Sequence, residues 1–145
     1  MTYIIALFMV AVVAAGVMVA VQSTSAIVKR QKETRLLFVG NAIVAAIKSY
    51  HSISPGIKHT YPSKLDDLLL DRRFIRWPPR RHLRKIYYDP MTGSANWKLI
   101  LDKEGNIMGV HSLSEKEPLK KDNFLKENRH FTGKTQYSEW RFIHE

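Results

Sequence analysis

The chain of 145 residues has no cysteine. A disulfide framework and a thiolate metal site are both excluded, and an oxidising or a reducing compartment is equally compatible. Proline is absent before Pro55, and Gly16 and Gly40 are the only glycines ahead of it. Little therefore breaks a helix over that length. Charge is absent from residues 1–28: all 23 Lys and Arg and all 13 Asp and Glu come later. The chemistry of common enzymes is also missing. The six histidines show no zinc-type spacing, no glycine-rich loop would cradle a phosphate, and Ser112 and Ser114 lack a nucleophile elbow. Asp66 with Asp67, and Glu115 with Glu117, are carboxylate pairs better suited to helix ends than to acid–base work. No catalytic, cofactor or metal site is expected.

What is present begins with an apolar run, residues 3–21. As a helix it is about 28 Å long at 1.5 Å per residue, close to the roughly 30 Å of a bilayer's hydrocarbon. A secretory signal peptide would need a basic stretch before a shorter apolar run. An anchor fits better. Lys29, Arg30 and Lys32 flank its C-terminal end. With Met1 as the true start, the positive-inside rule puts the remainder in the cytoplasm; a basic leader removed before Met1 reverses the orientation.

The helical pattern continues past the run. Leu36, Val39, Ile43, Ile47 and Tyr50 recur at spacings of three and four, Leu37 and Val44 widen the stripe, and Lys32, Arg35, Asn41 and Lys48 fall largely off it. Ser54-Pro55-Gly56 ends it. One helix is expected from Met1 to about Ser52, apolar all round in its first half and amphipathic in its second. A short helix is expected over residues 61–70, with Ser63 as N-cap and Asp66 and Asp67 on its dipole. Residues 97–101 and 107–113 read as strands joined by the loop Asp102-Lys103-Glu104-Gly105. Asp89-Pro90-Met91-Thr92-Gly93 reads as a turn, residues 114–134 as a long exposed loop, and residues 136–143 as a final strand. The expected fold class is α+β, a long N-terminal helix packed on a small C-terminal antiparallel sheet.

The net charge of +10 favours anionic neighbours. Seven cations concentrate in residues 72–85, with no acid among them: Arg72, Arg73, Arg76, Arg80, Arg81, Arg84 and Lys85. As a functional feature this is a patch for nucleic acid or anionic lipid, with Trp77, Tyr87 and Tyr88 available to stack on bases. As a structural feature it is a solvated loop whose cations pair with Asp66, Asp67, Asp71 and Asp89.

Taken in order, several short words resemble the type IV pilins and the pseudopilins of type II secretion. They are Met1-Thr2-Tyr3-Ile4, then Lys32-Glu33-Thr34-Arg35-Leu36-Leu37-Phe38-Val39-Gly40-Asn41, then Tyr61-Pro62 with Leu65-Asp66-Asp67-Leu68-Leu69. Tyr88-Asp89-Pro90-Met91-Thr92-Gly93 with Trp97, Gly109-Val110-His111-Ser112 and Tyr137-Ser138-Glu139-Trp140-Arg141-Phe142 complete the series. The resemblance implies a leader cleaved by a prepilin peptidase and methylation at Met1. It also implies an inner-membrane anchor with a periplasmic head, and entry into a periplasmic or extracellular helical filament of pilin-like subunits through an assembly platform. It departs from the family at three places. Ile5 stands where a glutamate is usual, as in a tip subunit. Gln22 stands where proline is common. Ser112-Leu113-Ser114-Glu115-Lys116-Glu117-Pro118 replaces an Asp-rich calcium loop, so calcium is not carried over.

The division expected is residues 1–28 as the transmembrane and filament-core helix and residues 29–145 as the head. The head would include the helix half 29–53 and the sheet region 86–145. Ile4, Ile5, Phe8, Ala11, Ala14, Ala15 and Gly16 would mediate assembly, the small residues allowing close helix approach. Leu36, Val39, Ile43 and Ile47 would pack the head. The alternative is a membrane-anchored binding module that uses residues 72–85.

Overall fold

One helix organises the rest of the chain. In the computed structural model, which describes residues 2–56, 58–74 and 78–144 apart from the side chains of residues 2 and 18–23, α1 runs unbroken over Thr2–Ser52. It ends where Ser54 turns its hydroxyl onto the His51 carbonyl at 2.9 Å and Gly56 takes a φ of 91° after Pro55. A left-handed glycine just past a helix is a common stop.

The two halves of α1 meet different surroundings. Residues 3–17 are exposed throughout. Leu36, Val39, Ile43, Ala46, Ile47 and Tyr50 are buried. They lie against a three-stranded antiparallel sheet, so the architecture is α+β. Its strands are β1 (Lys98–Leu101), β2 (Ile107–His111) and β3 (Phe142–Ile143), in the order β1-β2-β3. Lys98 faces His111, Leu99 faces Val110, and Val110 faces Phe142 in register. The β1–β2 loop is held by Asp102, whose carboxylate accepts the Glu104 and Asn106 N–H groups at 2.8 Å each.

Two glycines let backbone approach closely. A Cβ on Gly40 would lie 2.5 Å from the Phe142 ring, and one on Gly109 would lie 2.3 Å from the Phe142 carbonyl oxygen. The helix therefore sits directly on β3. Beside that contact the core is aromatic. Phe131 and Trp140 stack at 5.4 Å, with Phe124, Tyr137 and Phe142 edge-on around them.

The structure corrects four local expectations. Residues 61–70 form only a 3-10 turn, Leu65–Leu68, and its N-cap is Lys64 instead of Ser63. The Asp67 carboxylate accepts the Lys64 N–H at 2.9 Å, which fixes the start one residue later. Residues 114–134 are largely exposed, as expected, but they are not a free loop: Phe124 and Phe131 plug into the core, and Lys126–Phe131 makes two 3-10 turns across a kink at Asn128. The final strand shrinks to Phe142–Ile143, because Glu139 accepts the N–H groups of Thr135 and Gln136 and curls Tyr137–Glu139 into a 3-10 turn. Finally, the strand expected over residues 107–113 stops at His111, where Ser112 leaves the ladder to donate to Asp89 Oδ2 at 2.7 Å.

Candidate functional site

The residues named for assembly lie along the exposed half of α1. Ile4 is 72%, Ile5 60% and Phe8 69% exposed. Ala11, Ala14, Ala15 and Gly16 are exposed too, and a Cβ on Gly16 would meet no atom within 4 Å. Met1 lies outside the described residues. Among the described residues no helix is long and apolar enough to cross a membrane. The described apolar side chains run to Val17; those of residues 18–23, which continue the run in the sequence, lie outside the described set. The head-packing residues Leu36, Val39, Ile43 and Ile47 are each at most 1% exposed.

Between these halves stands Glu33, which sequence reasoning missed. It is a buried carboxylate on the same face as Leu36, Gly40 and Ile43. Its Oε1 accepts the Tyr137 hydroxyl at 2.8 Å and the N–H groups of Leu119 and Lys120. Burial, and then the bond to Glu33, push the Tyr137 phenol well above its usual range. The arrangement pins the segment after Pro118 to the helix. Only the place of Glu33 was legible: it precedes Leu36 by three residues and so shares the apolar stripe.

The basic loop divides in the structure. Arg73 turns inward onto α1. Its guanidinium lies 3.4 Å from the centre of the Tyr50 ring and donates to the Tyr50 carbonyl at 2.8 Å. A cation placed there satisfies a free carbonyl and suits the negative end of the helix dipole. Arg73 also grips Asp71 with three bonds, from its backbone N–H and Nε at 3.0 Å each and from its terminal guanidinium nitrogen at 2.8 Å. Asp71 Oδ2 lies 3.2 Å from His82 Nε2, and His82 Nδ1 is 2.8 Å from the Ser49 hydroxyl. Burial raises the Asp71 pKa. The bonds from Arg73 and His82 outweigh this and hold it at about 2.

Among the other acids near the loop, Asp67 caps its own turn. Asp89 serves the turn it starts, accepting the Met91 N–H at 2.8 Å. Arg72, Arg80, Arg81, Arg84 and Lys85 are exposed, and Arg76 and Trp77 lie outside the described residues. Arg80 and Asp71 form an isolated antiparallel bridge, which returns the loop to its start.

Ser49, His82 and Asp71 share one hydrogen-bonded line, in which Asp71 is also held by the Arg73 guanidinium and Ser49 belongs to α1. Nearby, His51 stacks on Tyr61 at 4.4 Å, with His59 and His144 beside it. Burial and then the neighbouring His144, His59 and Arg73 lower the His51 pKa. Among the described residues no group of three or more His, Asp or Glu could hold a metal ion.

No family model, no curated protein and no solved structure matches the chain.

Proposed function

We propose that this chain is a structural subunit of a bacterial envelope filament of the pilin and pseudopilin kind. Its α1 would be anchored in the inner membrane before assembly and packed among identical helices afterwards. The observation that carries this reading is the exposure of apolar residues 3–17 on a helix whose other end is fixed in the head. Apolar surface of that extent needs cover, and the described residues supply none for it. Lipid first and other copies of the helix later supply the same cover. In this reading the second half of α1 is the amphipathic half, its stripe facing the sheet. Ile5 in place of a carboxylate suits a tip subunit, or a filament whose N-termini are satisfied by Thr2 or by neighbouring carbonyls.

The absence of cysteine from these 145 residues makes the test direct, because an introduced cysteine is the only one among them. Ala15→Cys is expressed from the full reading frame, the cells are sheared, and the released fraction is oxidised. Disulfide-linked dimers in a filament fraction are expected from Ala15→Cys and not from Leu113→Cys on the head. Chains that stay in the membrane as uncrosslinked monomers would overturn the reading. A second reading, an anchored module that binds nucleic acid, draws on the exposed cations of residues 72–85. Salt-dependent DNA affinity lost in Arg80→Gln/Arg81→Gln favours it.

A further inference from the structure

We propose that the groove at the neck, where α1 meets the head, is a binding site for an anionic phospholipid. The inference rests on the membrane-anchored reading above and adds a ligand to it. The groove has a volume of about 650 Å³. Its apolar walls are Val17 and Val28 on α1 and Met91 from the head, and its cations are Lys29, Lys32 and Lys116. No carboxylate lines it among the described residues. Glu117 lies beside Lys116, and its partner is Lys121 at 2.7 Å.

The layout matches the two chemistries of one lipid. Val17 lies inside the apolar run and Val28 stands next to Lys29, the first cation of the chain, so the groove offers apolar contact at one end and cations at the other. Lys29 and Lys32 belong to the flank that any anchor carries. Lys116 does not: it is distant in sequence and is brought to the same groove by the fold of residues 112–120. It gives the phosphate a cation from the head side, so the lipid would bridge helix and head.

Native mass spectrometry of the full chain, released from membranes in detergent, tests this with phosphatidylglycerol and phosphatidylcholine at equal concentration. Phosphatidylglycerol should be retained where phosphatidylcholine is stripped. Lys116→Gln should cut that retention about fivefold, the weight of one cation near an anionic headgroup. Lys116→Arg should restore it, which separates lost charge from lost fold. Equal retention of the two lipids, or no change in Lys116→Gln, overturns the site while leaving the anchor intact. A detergent-stable dimer that shields Lys116 and carries no lipid also overturns it, because a second copy then fills the groove. Recovery of the chain without detergent overturns both the site and the anchored reading.

Discussion

The two halves of α1 are one element in two surroundings. Residues 3–17 and residues 33–50 share a continuous hydrogen-bonded helix, yet the first set is exposed and the second carries the core. Propensity does not separate them, because β-branched and small apolar residues dominate the first half and still form helix. What separates them is a partner. The later half finds the sheet and the aromatic cluster within its own chain. Among the described residues the earlier half has no such surface, and its stability in water would be poor, since isolated helices depend on tertiary cover. Function is therefore expected where cover is missing, and stability where it is present.

The sharpest way to break this comparison is the same charge placed in each half. Ile43→Asp should abolish cooperative melting of the full chain in detergent, because an unpaired buried carboxylate costs several kcal/mol. Phe8→Asp should leave the near-UV signal of the head unchanged while preventing membrane partition and assembly. Equal damage to the head from both changes would mean that the halves are not independent.

How much of this was legible in the sequence follows from how local each feature is. The extent of α1 and its buried stripe are written in spacings of three and four, and the β1–β2 hairpin in two short apolar runs on either side of the loop from Asp102 to Gly105. The Glu33–Tyr137 contact joins residues 104 apart, and no local period announces it. Residues 114–134 read correctly as largely exposed, but their charges hid their anchors: two phenylalanines, Phe124 and Phe131, suffice to tie the segment to the core. Arg73 and Arg80 look alike in a run of arginines. Only the fold makes one a cap on α1 and leaves the other in water.

The second test concerns the seam between the halves. Glu33→Ala removes the acceptor of three donors and should lower head stability by about 3 kcal/mol, whereas Tyr137→Phe removes one bond and should cost about 1 kcal/mol. Chemical denaturation monitored by tryptophan emission reads both. Similar losses from the two would show that the Leu119 and Lys120 N–H groups find other acceptors.

The third is acid. The Asp71 pKa in the folded state is depressed, so its contribution is fully present above the unfolded value near 4 and disappears as the pH falls to about 2. That contribution is about 2 kcal/mol for a shift of this size. It should appear as a loss of stability in the wild-type chain between pH 4.5 and 2. Asp71→Asn starts lower and should lack that part of the loss. Because Arg73 joins Asp71 to the last turn of α1, the damage should be greatest at the head end of the helix, leaving residues 3–17 helical in detergent. Parallel curves for the two proteins would remove Asp71 from the account.

The smallest effects come from the two glycines of α1, and they should have opposite signs. At Gly40 a methyl group would lie 2.5 Å from the Phe142 ring, so Gly40→Ala forces β3 away from the helix. A loss of about 1 to 2 kcal/mol is expected, since overpacking outweighs the gain in helix propensity. At Gly16 a methyl group meets no atom. Gly16→Ala should therefore raise the helix content of the detergent-bound chain, with a gain below about 1 kcal/mol. In a filament the same methyl group would occupy the closest approach between neighbouring helices and should reduce the yield of sheared material. The pair thus distinguishes two origins for a helical glycine. One makes room for a ring of its own chain; in the proposed filament the other would make room for a neighbouring helix. If Gly16→Ala raised helicity and left assembly untouched, the exposed half of α1 would have to be covered by lipid alone.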